Sequence, residues 1–395
     1  MRVIKMNHLK RIDCWCTIKI FFSAGESSGD QHAANLFTEL KTQRPTLVGV
    51  GMGGVKMAQA GIDLCYDSSN IAVIGAAEVI ARYVEIRRVL KAVQCALIRE
   101  KPDLLICVDY KEFNYQLAKF AKKHGIHVLF YVSPQVWAWR RDRVKKYGDV
   151  IDMMAVIFPF ESAYYEAENV PVRYVGHPSV DKVIPKLSKQ DALSAFHLDS
   201  NAPIIGLVAG SRVNEIKRLL PIMLSAAHQL KTRFPTCQFV LPQADAISDA
   251  LIQFYLNMTD VKVTVIKHQQ YDAMQCCDVI MTCSGTATLE IALLDIPMVI
   301  CYKLNALTYW LGRYLVKTRF IGLPNIIFGE GIVRELIQHD ATPENLANEV
   351  AYLLSNPEAA QTLRDNLTSV REKLGQGGGI QTMANLVLEM LPERN

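Results

Sequence analysis

The sequence predicts an α/β chain of two doubly wound halves, each a parallel sheet covered by helices on both faces. Three observations carry that prediction. Short apolar runs alternate with amphipathic segments along the chain, as βαβ units require. The alternation restarts after Pro178. The chain also has 395 residues, more than one hydrophobic core usually supports at roughly 100 to 200 residues per domain.

Residues 1–16 read as a basic N-terminal extension carrying Arg2, Lys5, Lys10 and Arg11. Residues 20–25 imitate a short secretory core, but Lys19 interrupts the apolar run and cleavage would delete a buried strand. In the first half, residues 17–178, strands are expected at 18–23, 47–50, 104–108, 128–131, 154–157 and 173–175. Helices are expected at 30–40, 78–99 and 115–124. In the second half, residues 179–365, strands are expected at 204–208, 238–241, 263–266, 279–282 and 298–301. Gly176-His177-Pro178 through Pro185 reads as the hinge between the halves. Residues 366–395 read as a C-terminal helix that packs back on the first half.

Hydrophobic residues make up 50% of the chain and charged residues 21%, a globular balance that excludes a disordered chain. The net charge of +4 is too small to indicate nucleic-acid binding. Ten cysteines sit mostly inside apolar runs with no C-x-x-C pair, which reads as reduced, buried thiols. No apolar run approaches the ~20 residues that span a bilayer. His124 and His127 straddle a helix end and a strand start without acidic or cysteine partners, so no metal is expected.

In open parallel sheets ligands bind beyond the carboxyl ends of strands, so chemistry is sought in the strand-to-helix turns. After the strand at 279–282, Cys283-Ser284-Gly285-Thr286 is a small, hydroxyl-rich turn that opens a helix. Free backbone N–H groups and the helix dipole there suit a diphosphate. Glu290, one turn on, suits ribose hydroxyls; an ordinary helix cap explains the turn equally well. Gly25-Glu26-Ser27-Ser28-Gly29-Asp30 is a comparable turn, whose glycines permit close approach by a ligand. Gly49-Val50-Gly51-Met52-Gly53-Gly54 satisfies G-x-G-x-x-G, but it follows the second strand of its half and lacks an acidic residue about 20 positions on. Asp109, ending the strand at 104–108, is a candidate general base, with a helix cap or a salt bridge to Lys111 as the bland alternative. Gly210-Ser211-Arg212 places an arginine fork where phosphate oxygens would need neutralising.

Together these segments resemble the lipid-A-disaccharide synthase family. The resemblance is carried by Ala24 to Asp30, by Tyr131-Val132-Ser133-Pro134-Gln135-Val136-Trp137-Ala138-Trp139-Arg140, and by Phe158-Pro159-Phe160-Glu161. It continues through Gly210-Ser211-Arg212 with Glu215, the turn from Ser284 to Glu290, and Gly322-Leu323-Pro324-Asn325. It implies a GT-B-type fold, two facing Rossmann-like domains with a cleft between them, and an inverting, metal-independent transfer with no cofactor. The implied partners are UDP-2,3-diacylglucosamine as donor and 2,3-diacylglucosamine 1-phosphate as acceptor, joined into the lipopolysaccharide precursor. The implied catalytic residues are Asp109 as base and Arg212 at the leaving diphosphate. Ser211, Arg212, Ser284, Gly285, Thr286, Thr288, Glu290 and Asn325 would hold the nucleotide sugar, with Gly25, Glu26, Ser27, Ser28, Gly29 and Asp30 on the opposite wall. The family's usual aspartate-alanine-proline-aspartate-phenylalanine-asparagine run stands here as Asp109-Tyr110-Lys111-Glu112-Phe113-Asn114, and its proline before Gly210 is Ala209. These departures bear on acceptor positioning.

Acylated substrates imply a cytoplasmic enzyme associated peripherally with the inner membrane. Arg140 and Arg141 beside two tryptophans, and Trp310, Arg313, Lys317 and Arg319 in an aromatic and cationic stretch, are the candidate contacts; a solvated helix face explains both equally well. The oligomeric state, a homodimer included, is left open. The rival readings are a UDP-N-acetylglucosamine epimerase and a non-catalytic nucleotide-sugar binding protein.

Overall fold

The computed structural model describes residues 17–68, 83–136, 143–303 and 318–393. These fall into two compact units. One ends at Gly176 and takes back the tail from Gly378; the other is His177–Gly377.

The first unit is built on seven parallel strands: β1 (Lys19–Ala24), β2 (Val48–Gly53), β3 (Asp63–Asp67), β4 (Leu104–Val108), β5 (His127–Tyr131), β6 (Met153–Val156) and β7 (Val172–Tyr174). Their order is β3-β2-β1-β4-β5-β6-β7. Every residue of β4 is buried, as a strand covered on both faces must be. The edge strand β3 instead alternates exposed and half-buried positions, with Leu64 and Tyr66 turned inward. The alternation spans only five residues with two aspartates and a cysteine on its exposed side, too short to stand out as a strand.

Of the G-x-G-x-x-G glycines, Gly49 and Gly51 lie within β2, and the third, Gly54, is the N-cap of the helix Val55–Gln59. The role of the first two is close packing. A Cβ on Gly51 would fall 2.0 Å from the Phe22 carbonyl oxygen of β1, and one on Gly49 would fall 2.8 Å from the Phe37 ring. Phe37, on the helix Ser27–Gln43, meets Phe22 edge to face at 5.7 Å.

The second unit repeats the plan with six parallel strands: β8 (Ile204–Val208), β9 (Gln238–Gln243), β10 (Val263–Lys267), β11 (Val279–Cys283), β12 (Met298–Tyr302) and β13 (Arg334–Ile337). They run β10-β9-β8-β11-β12-β13. Short, partly buried β13 was not anticipated either. In each sheet the strand order reverses once, between β1 and β4 and between β8 and β11. Those two points are where ligands bind in such sheets.

The boundary expected at 365 falls inside the unbroken helix Pro357–Leu374. The chain changes unit instead at a glycine run, where Gly377 and Gly378 take φ of +97° and +74°. The helix Gly379–Met390 then packs on Ser27–Gln43, burying Met383, Ala384, Leu386 and Val387.

Candidate nucleotide and base sites

In the second unit the reversal point opens onto a cavity of about 370 Å³, within the size range of small-molecule sites. Ser284, Gly285, Thr286 and Glu290 line one side of it, and Gly210, Ser211, Arg212 and Glu215 another. The helix Thr286–Leu293 begins directly after Gly285, whose φ of +152° turns the strand into the helix with nothing within 4 Å of the missing side chain. Thr286 and Ala287 are the first two helical residues, so their amides lack intrahelical acceptors and face a site suited to anions. The Ser284 hydroxyl donates to the Ile321 carbonyl at 3.0 Å. Helical spacing brings Glu290 onto the face of Thr286, four residues earlier. Cys283 also lines the cavity, but burial and the Glu215 charge push its thiol up to about 12, which keeps it a neutral wall.

On the β8 side, Gly210 takes φ +124°, and a Cβ there would meet the Glu215 carboxylate at 2.4 Å. Glu215 accepts from the amides of Ser211 and Arg212 at 3.0 and 3.2 Å, and its other oxygen accepts from the Arg212 guanidinium at 3.1 Å. The helix start at Val213 is therefore capped from within the chain. Arg212, with a side chain 74% exposed, is the cation that lines the cavity.

Two residues assigned to the nucleotide on sequence grounds lie elsewhere. Thr288 is fully buried and donates to the Gly285 carbonyl at 2.8 Å, because two residues past Thr286 it turns to the opposite face of the helix. Asn325 is also fully buried. Its amide nitrogen donates to the Val333 carbonyl and to Glu335, both at 2.8 Å, and its oxygen accepts from the Val333 amide. It is a bracket rather than a ligand contact. Glu335, which sequence reasoning missed, also accepts from the amides of Ile321 and Gly322, and so fixes the loop whose carbonyl holds Ser284. Tyr271 was missed as well; its hydroxyl donates to Glu290 Oε1 at 3.1 Å.

In the first unit Asp109 stands at the carboxyl end of β4, beside the end of β1. Asp109 and Tyr110 both adopt left-handed backbone, at φ +48° and +49°, and Val132 and Gln135 after β5 do so at +71° and +53°. Such strain persists only where the surroundings impose it. Here Asn114 does so: fully buried, it donates to the carbonyls of Asp109 at 2.7 Å and Ser23 at 3.1 Å, and accepts from the Ser23 hydroxyl at 2.6 Å. Burial raises the Asp109 carboxyl above its ordinary value, against the opposing pull of Lys111 and a backbone hydrogen bond from Tyr110.

The turn after β1 is only partly as expected. Glu26, Ser27 and Ser28 are exposed at the start of the first helix. Gly25 does not open space for a ligand, because the Tyr110 ring fills it; a Cβ on Gly25 would lie 2.2 Å from that ring. Gly29 makes room for the Val108 carbonyl, 3.2 Å from where its Cβ would stand. Asp30 is buried and accepts from the amides of Gly54, Lys56 and Met57 at 2.7 to 3.2 Å, capping the helix Val55–Gln59 rather than facing a ligand. Arg140, Arg141, Trp310, Arg313 and Lys317 lie outside the described residues. Arg319 is exposed over the Phe320 ring at 5.3 Å. Among the described residues no helix is long and apolar enough to cross a membrane.

A family model described as lipid-A-disaccharide synthetase matches residues 20–387. Lipid-A-disaccharide synthases of Geobacter sulfurreducens and Nitrosococcus oceani are 46% and 45% identical to the chain, each across 94% of it and across 97% and 96% of their own lengths. The Coxiella burnetii (strain Dugway 5J108-111) synthase is 40% identical across 94% of the chain and 98% of its own. Among solved structures, an S. aureus MnaA–UDP complex superposes with a TM-score of 0.65 at 12% identity, covering 96% of this chain and 99% of that one. The calicheamicin glycosyltransferase CalG4 does so at 0.62 and 15%, covering 95% and 98%. At such identities the structural likeness establishes the fold alone.

Proposed function

The chain belongs to the lipid-A-disaccharide synthase family, and from that premise we propose which of its residues perform the family's reaction. The chain is a glycosyltransferase. It moves 2,3-diacylglucosamine from its UDP derivative to the 6-hydroxyl of 2,3-diacylglucosamine 1-phosphate, releasing UDP and the β-1,6-linked disaccharide 1-phosphate. An α-linked donor giving a β product calls for one in-line displacement, with a base for the acceptor hydroxyl and charge stabilisation for the leaving diphosphate.

The observation that carries the assignment is the convergence of Arg212, the helix start at Thr286 and Glu290 on one cavity. In this reading the amides of Thr286 and Ala287 receive the diphosphate, and Arg212 follows the charge that develops as the sugar leaves. Glu290 accepts from the ribose. Asp109 takes the acceptor proton, its raised pKa making it a stronger base than a solvated carboxylate. Asn325, Thr288 and Asp30 shape the turns without touching substrate.

Because a guanidinium and a helix start neutralise the leaving group, the reaction proceeds in this reading without a divalent ion. The acyl chains of both substrates place the enzyme at the cytoplasmic face of the inner membrane, held peripherally by Arg140, Arg141, Trp310, Arg313, Lys317 and Arg319. The test is to supply both acylated glucosamines in the presence of EDTA. Disaccharide and UDP are expected in equal amounts. Loss of turnover in EDTA that is restored by a divalent ion would remove the metal-free mechanism, and absence of disaccharide under all conditions would remove the activity.

A further inference from the structure

We propose that Tyr271 is a positioning residue for the nucleotide: its hydroxyl holds Glu290 by one oxygen and leaves the other directed to the ribose. The inference rests on the reading of Glu290 as the ribose acceptor.

Glu290 lines the cavity with a side chain 16% exposed. Its Oε1 accepts from the Tyr271 hydroxyl at 3.1 Å, and Lys182 Nζ lies 3.8 Å from the same oxygen. Oε2 accepts no hydrogen bond from any described residue. One oxygen is thus committed to the protein and one is available to a ligand. A glutamate has three side-chain torsions, and ordering them on binding is an entropic cost that an existing hydrogen bond removes beforehand.

Tyr271 is placed for this: its ring packs against the core of the second unit and its hydroxyl reaches Glu290. It belongs to the short helix Gln270–Met274, whose Gln270 and Met274 line the cavity, while Tyr271 stands behind Glu290. Burial, and then the Glu290 charge, push the phenol well above its ordinary value, so it remains an O–H donor at any working pH. A phenol has one proton to give, and giving it to Oε1 fixes which oxygen remains. Vicinal ribose hydroxyls can then donate to Oε2 together, a geometry a freely turning carboxylate would have to find anew with each nucleotide.

The test compares binding of UDP and 2′,3′-dideoxy-UDP to the full chain by calorimetry, in the wild type, Tyr271→Phe, Glu290→Gln and the double variant. Tyr271→Phe keeps the ring, so packing is retained. It is expected to weaken UDP about tenfold, or ~1.4 kcal/mol, while leaving the dideoxy analogue unchanged. KM for the UDP-sugar should rise by the same factor with kcat constant, as loss of uniform binding requires. The double variant should bind UDP no more weakly than Glu290→Gln alone. If Tyr271→Phe weakens both ligands equally, or neither, while Glu290→Gln narrows the preference for UDP, the positioning role is overturned and the ribose reading stands. If Glu290→Gln leaves that preference intact, the ribose reading fails and takes this inference with it.

Discussion

Asp109 is held in a conformation that L-residues adopt rarely, in surroundings that disfavour its charge. Both features cost stability and both serve a base. Asp109→Asn is expected to lower kcat by about 10²- to 10⁴-fold, the usual share of general-base catalysis, with the Kd for UDP unchanged. A variant with full kcat would exclude Asp109 as the base. Because folding raises this carboxyl's pKa, its ionised form opposes folding once the pH has risen past the folded pKa, and the effect vanishes below the unfolded one. Asp109→Asn should therefore melt at or above the wild-type temperature at neutral pH despite its lowered kcat.

The sign for catalysis is the reverse, since the base works ionised and kcat/KM climbs with pH through the Asp109 pKa. Lys111 lowers that pKa, so Lys111→Gln should move the acid limb of the profile to higher pH; an unmoved limb would show that another group sets it. At this scale the sequence was legible for where residues stand, with Asp109 directly after β4 and Arg212 and Glu290 on one cavity. It was not legible for Asn325 or Asp30. A polar side chain in a turn looks the same in sequence whether it meets ligand or backbone, and only the tertiary phase of its helix decides.

Strands and turns give a different contrast, best seen in two glycines. Gly51, inside β2, lets β1 approach so closely that any side chain would collide with the Phe22 carbonyl. Gly285 turns β11 into its helix and has open space where a side chain would stand. Gly51→Ala should cost about 3 kcal/mol or more by overpacking and sheet distortion, while Gly285→Ala should cost about 1–3 kcal/mol of backbone strain. Urea titrations of both variants rank them; equal midpoints would refute the argument from contact. A glycine pattern that imitates a nucleotide loop is thus, in this chain, a packing device.

The buried strands β1, β4, β5, β8, β11 and β12 could be read as apolar runs because both faces are covered. Edge strands β3 and β13 escaped: β3 has three of its five residues exposed, and β13 is only four residues long with one buried position, so neither alternation is long enough to stand out. The turns at the two reversal points were found because topology alone says where such sheets bind ligands.

For the whole molecule, the division into two parallel-sheet units was legible because the pattern restarts, and the exact exchange point was not, because a helix continuing past 365 has no local signal of allegiance. The proposed membrane association belongs to the same scale. Replacing Arg313, Lys317 and Arg319 with serine should weaken binding to anionic vesicles by about 1 kcal/mol per charge lost near the surface, read by co-sedimentation at two salt concentrations. Unchanged sedimentation would remove this segment as a membrane contact.

The return of the helix Gly379–Met390 to the helix Ser27–Gln43 sets an order of assembly during synthesis. The ribosome makes the first sheet early, yet the segment that seals its first helix emerges only after the entire second unit has been made. A nascent chain paused before Gly378 therefore carries a finished set of strands with an uncovered apolar seam, open to chaperones and proteases until the helix Gly379–Met390 emerges and closes it.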